Sequence, residues 1–136
     1  MAFMVWNDRL MTGIAVIDGD HKRLVGMINE LYEAIGVGAS EDLVHLTLNR
    51  LVEYTRFHFG REEELLARAH YAEQPQHHAE HAAMVEWVEG IQAQIEQGTA
   101  IAPSLEVINY LKDWLFDHIL GTDQRYVPHL AAAGIY

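Results

Sequence analysis

Cysteine is absent from the 136 residues, which together excludes disulfides, thiolate-held zinc, iron–sulfur clusters and cysteine nucleophiles. Basic residues are scarce: 9 Lys and Arg face 20 Asp and Glu, a formal net charge of −11. A groove that tracks phosphates needs clustered Lys and Arg, so nucleic acid is not an expected partner. An anionic membrane surface is disfavoured on the same ground. Long hydrophobic runs are missing too. The apolar opening from Met1 to Trp6 is far too short for a secretion signal or a spanning helix, and the expected location is the cytoplasm. The length and a composition that is 50% apolar fit one globular domain over residues 1–136.

What the chain has in excess is histidine: nine residues, as many as Lys and Arg combined. Imidazole is the commonest metal ligand and the side chain that titrates nearest neutral pH. These histidines sit in segments whose apolar residues repeat with helical spacing. After an N-terminal arm over 1–17 with a Gly13 turn, Asp18 and Asp20 supply cap-type residues for a first helix over 18–36. Its stripe is His21, Leu24, Ile28, Leu31 and Ile35, and Gly36 and Gly38 stop it. Ser40, Glu41 and Asp42 open a second helix over 40–69, striped by Leu48, Leu51, Thr55, His58, Glu62 and Leu65. Pro75 opens a third over 75–97, with His77, His81, Met84, Val88, Ile91 and Ile95 on one face. Pro103 and Ser104 open a fourth over 104–126, with Ile108, Leu111, Leu115 and His118, and Pro128 is expected to block continuation. No segment alternates as a strand would. Four amphipathic helices on short links predict an all-α, up-down-up-down antiparallel four-helix bundle.

Six residues break the apolar pattern. His21, His58, Glu62, His77, His81 and His118 occupy stripe positions where Leu or Ile is expected. A buried carboxylate or imidazole without partners is costly, and helical backbone offers none, because its amides bond within their own helix. One such histidine is most simply a satisfied core residue. Six together call for a shared partner, and a metal ion satisfies the imidazoles while neutralising the carboxylate. The pairs His58/Glu62 and His77/His81, four residues apart, each put two ligand atoms on one helical face. His118 and Asp123 are five apart, which separates them by about 140° on a straight helix. Asp123 reaches the same site only through an i to i+5 irregularity, expected at Leu120–Thr122, where Gly121 makes the distortion cheap. The ligand types suit iron without excluding Mn, Co or Zn.

The series His21, His58-x3-Glu62, His77-x3-His81, His118-x4-Asp123 resembles that of the hemerythrin family, and in particular its single-domain bacterial members. Ile17-Asp18 before His21-Lys22, His58-Phe59 with Glu62-Glu63, and Trp114-Leu115 before His118-Ile119 extend the likeness from about Trp6 to Tyr126. Two features depart from it. Gly60 lies inside the ligand turn of the second helix, and Ala69-His70 stands where the family often has a turn glycine. The resemblance implies a non-haem di-iron centre: one iron on His77, His81 and His118, the other on His21 and His58. Glu62, Asp123 and an oxo or hydroxo group would bridge the two. The second iron, with fewer protein ligands, would be the one that binds O2. Leu24, Ile28, Trp114, Leu115 and Ile119 would line an apolar O2 pocket.

The implied function is reversible O2 binding for transport, storage or delivery, not enzymatic turnover, by a monomer with an oxygen-consuming enzyme as recipient. Sensing of O2, NO or redox state through a partner protein, and oxidase or peroxidase chemistry, are the alternatives. His45, His70, His78 and His129 match no ligand position, and His78 is expected at the surface. Glu63 and Glu64 are read as a solvated face, and Trp87 and Tyr110 as the flank of the core.

Overall fold

The computed structural model describes residues 3–98 and 105–136. The fold is all-α, with no strand among the described residues. Its helices are α1 (Ala15–Gly36), α2 (Glu41–Arg68), α3 (Gln74–Glu96), α4 (Leu105–Asp117) and a short α5 (Val127–Ala132). The first four form the antiparallel bundle. The expected helix start at Pro103–Ser104 lies outside the described residues.

Position along each helix shows why the chain alternates direction. Leu24 and Met84 each follow a histidine, His21 or His81, by one turn, whereas Thr55 and Leu115 each precede one, His58 or His118. A further turn on, Ile28 and Val88 pair with Leu51 and Leu111 in the same way. All eight side chains line one cavity. Moving away from the histidines therefore means going forward in α1 and α3 and backward in α2 and α4. The apolar face of each helix is buried against the other three, with Leu31, Leu48 and Ile108 fully enclosed. A second, smaller cluster of Ile14, Ile17, Leu66, Tyr71, Tyr126 and Leu130 closes the opposite end.

Two boundaries differ from the sequence expectation. α1 starts at Ala15, and neither Asp18 nor Asp20 caps it; its N-cap is Ile14, with no side-chain bond. Asp18 instead turns back to the arm, accepting from Thr12 N (2.7 Å), Thr12 Oγ1 (2.8 Å) and Gly13 N (3.1 Å). The arm itself contains a 3-10 turn at Asp8–Leu10. At the other end, Pro128 does not stop the helical path but stands in the first turn of α5. That position needs no amide donor, so proline is tolerated there. Ser40 caps α2 as expected, accepting from Leu43 N at 3.2 Å.

Three helices end in the same backbone motif. The amides of Ala39, Tyr71 and Ile135 bond back to the carbonyls of Ala34, Leu66 and Leu130 at 2.9, 3.0 and 2.9 Å. The residue before each amide adopts positive φ: Gly38 (69°), Gly134 (77°) and His70 (53°). A side chain in the left-handed region is strained, and glycine is not. His70→Gly should therefore raise unfolding stability by roughly 0.5–1 kcal/mol. A urea titration that gives no gain would show that the His70 side chain offsets its backbone strain.

Candidate metal centre

The centre is assembled where α4 breaks. Its regular turns end at Asp117, and His118–Thr122 forms a π turn followed by a 3-10 turn over Asp123–Tyr126. The Asp123 amide bonds to the His118 carbonyl, five residues back. That extra residue rotates Asp123 onto the face of His118, and the two side chains approach to 3.1 Å. The expected irregularity is present. Gly121 is not among the residues with positive φ, and a Cβ there would meet nothing within 4 Å. Glycine is thus not required at the bulge.

Seven side chains converge: His21, His58, Glu62, His77, His81, His118 and Asp123, all buried. They fall into two groups able to hold an ion, Glu62/His77/His81/His118/Asp123 and His21/His58/Glu62, with Glu62 shared. Each carboxylate splits its oxygens between the two groups. Glu62 Oε1 meets His77 (2.6 Å) and His81 (3.3 Å), while its Oε2 meets His58 (3.1 Å) and His21 (3.6 Å). Asp123 Oδ1 lies 3.1 Å from both His77 and His118, and its Oδ2 lies 3.2 Å from His21.

These short distances are not a closed hydrogen-bond network. Both Asp123 oxygens and His21 Nδ1 are buried with no hydrogen-bond partner, although imidazole Nε2 atoms stand 3.1 to 3.2 Å from the Asp123 oxygens. His81 Nε2 and His118 Nε2 face each other at 3.1 Å. Outer carboxylates hold the opposite nitrogens: Asp20 Oδ2 on His58 Nδ1 (2.9 Å), Glu63 Oε2 on His81 Nδ1 (3.2 Å) and Glu80 Oε2 on His118 Nδ1 (3.1 Å). With their protons on Nδ1, these rings aim Nε2 lone pairs inward at one another and at carboxylate lone pairs. Bound cations relieve that repulsion, so the donor set fits a pair of metal ions.

Several of these partners were missed or misread in the sequence. Glu63, assigned above to a solvated face, bonds inward to His81 and outward to His78. Asp20, Glu80 and Tyr126, whose hydroxyl donates to Glu62 Oε2 at 3.1 Å, were not singled out as partners of the site. Asp20 also accepts from Tyr54 and from Arg61. The only sequence hint was that Asp20 and Glu63 adjoin His21 and Glu62. Two rings clamp the imidazoles in place: Phe59 stacks on His81 at 3.7 Å and Trp114 on His118 at 4.4 Å. His78 is exposed as expected, and His45, His70 and His129 stay outside the cluster.

A turn away lies the apolar cavity, about 30 Å³, lined by Leu24, Ile28, Trp114 and Leu115 among others. Ile119 is fully buried in the core but is not part of the cavity lining. Phe59, Thr55 and Met84 line it instead, each one turn or less from a clustered histidine in sequence.

Protonation follows from the same geometry. Burial disfavours the charged His21 ring, but Asp123 and Glu62 outweigh it and push the group up to about 9. His77 is pushed up to about 10 against the same burial penalty. Burial holds His81 below its ordinary value. Burial raises Glu62 and Asp123, yet the surrounding imidazoles outweigh it and keep both carboxyls well below the usual range. Without metal, His21 and His77 are therefore protonated at neutral pH. Their contribution to stability is complete below the ordinary value of 6.5 and fades as pH rises through about 9 and about 10.

Metal loading at pH 7 should release at least the two protons held by His21 and His77. Pulse addition of metal in weak buffer with an indicator dye measures this, and an absence of release would contradict the assignment. Gly121→Ala should leave metal content unchanged and stabilise the chain by up to about 1 kcal/mol. Loss of metal in that variant would show that the bulge needs glycine after all.

Comparison with known proteins identifies the family. The family model of the hemerythrin HHE cation binding domain matches residues 12–130. The bacteriohemerythrin of Stenotrophomonas maltophilia (strain R551-3) is 35% identical over 132 residues, covering 97% of this chain and 84% of that protein. The bacteriohemerythrin of Pseudomonas aeruginosa (strain LESB58) is 37% identical, covering 93% and 81%. The myohemerythrin of Theromyzon tessulatum is 30% identical, covering 89% and 88%. A solved structure of wild-type hemerythrin superposes with a TM-score of 0.90 at 28% identity, covering 96% of this chain and 99% of that one. The chain belongs to the hemerythrin family, whose members are proteins that bind O2 at a di-iron centre.

Proposed function

We propose that this chain binds O2 reversibly at two irons and serves to carry, store or deliver it. His77, His81 and His118 would hold one iron and His21 and His58 the other, with Glu62 and Asp123 between them and an oxo or hydroxo group completing the bridge. The observation that carries this reading is the division of both carboxylates between a three-histidine and a two-histidine group. When bound, the iron pair supplies the redox electrons that reversible O2 binding draws on.

The rest falls to the chain's own residues. His21 and His58 provide one imidazole fewer than the facing group, so their half has room for a small ligand. Leu24, Ile28, Trp114 and Leu115 provide an apolar space that admits O2 and disfavours the water that promotes irreversible oxidation. Tyr126 donates to Glu62, steadying the carboxylate on the side facing His21 and His58. Ferritin-like di-iron oxidases use carboxylate-rich sites with Glu-x-x-His pairs, and this histidine-rich set has the opposite balance.

The test is optical. The reduced, iron-loaded protein should gain a visible band on exposure to O2 and lose it on purging, with two irons per chain by metal analysis. Irreversible conversion to the ferric state without that band would overturn carriage. Glu62→Ala should lose most of the iron, since Glu62 serves both groups.

A further inference from the structure

The three outer carboxylates differ in what neutralises them. Asp20 is buried, and its two oxygens accept four hydrogen bonds: from His58, from Tyr54 and twice from Arg61. The Arg61 guanidinium is in direct contact with it, so its charge is cancelled where it stands. Among the described residues, Glu63 accepts from His78 and His81 and Glu80 meets His118. Among the described residues no Lys or Arg pairs with either. Glu63 is 18% exposed and Glu80 44%, so water screens Glu80 the more and Glu63 rather little.

The outer charge is therefore lopsided. Behind His81 and His118 stand two carboxylates without a cation. Behind His58 stands one carboxylate matched by one guanidinium. The imidazole-to-carboxylate distances, 2.9 to 3.2 Å, are too similar to reverse this difference. Uncompensated negative charge favours the higher oxidation state of a nearby metal, and carboxylates on Nδ1 make imidazole a stronger donor.

We infer that Glu63 and Glu80 make the three-histidine half the stronger electron-donating half, with Arg61 blunting Asp20 at the other, so that the iron on His77, His81 and His118 is the first to be oxidised. This rests on the di-iron reading above. The step is the loss of one electron from the diferrous protein to a one-electron outer-sphere oxidant such as ferricyanide, with no bond made or broken and no proton moved. Glu63 and Glu80 act as positioning residues through the histidines, and Arg61 acts through Asp20.

The test is spectroelectrochemistry of the iron-loaded protein, resolving its two one-electron potentials. The lower potential belongs to the three-histidine half. Glu63→Gln and Glu80→Gln, which keep an acceptor of the same shape, should each raise the lower potential, together by at least about tenfold in the equilibrium, about 59 mV for one electron. Arg61→Gln exposes the charge of Asp20 and should lower the higher potential instead. A merely structural role would lower iron content and leave the potentials of the loaded fraction alone. Glutamine variants that hold two irons and shift neither potential, or shift both equally, would overturn the inference. Fewer than two irons in the unmodified protein would instead overturn the di-iron reading itself.

Discussion

Everything in this molecule is arranged around one electrostatic problem: two carboxylates and five imidazoles buried together in the middle of a helical bundle. Helical backbone cannot hydrogen-bond to them, and the low dielectric of the core magnifies both their attraction and their repulsion. The oxygens of Asp123 are left without hydrogen bonds while imidazole nitrogens stand within 3.2 Å. Such a set is coherent only with cations in it. Protons fill that role when metal is absent, which is why His21 and His77 are pushed to about 9 and about 10.

That constraint explains the break in α4. A regular helix would carry Asp123 away from His118 and leave the two groups with Glu62 alone between them. The π turn adds one residue and returns the second carboxylate to the centre. The distortion is local, since Tyr126 is fully buried just beyond it and donates to Glu62, and α5 then continues the path. The apolar layers on the other side are equally tied to the centre, because each begins one turn from a histidine.

The carboxylates outside the cluster add a second level of control. They orient the rings, and they set how much charge each half experiences. Asp20 is embedded among Tyr54, His58 and Arg61, whereas Glu63 and Glu80 face solvent or another imidazole. Metal-binding residues that look equivalent in a ligand count are unequal once their outer partners are included.

The sequence alone pointed to the four-helix plan and to six of the seven converging residues, because helical period places His21, His58, Glu62, His77, His81 and His118 on apolar stripes. It also showed that Asp123 could join them only through an irregular stretch, since a spacing of five cannot share a face on a straight helix. The tertiary structure alone decided what stands behind the rings. Asp20 reaches His58 from another helix, 38 residues away, and Glu63 and Glu80 likewise act on neighbouring helices. It also decided that Asp18 binds the arm instead of capping α1, that Pro128 begins a helix, and that Ile119 lies outside the cavity. Period reports which face of a helix turns inward. Which residues meet across that interior depends on how neighbouring helices are rotated and shifted, and no single segment carries that information.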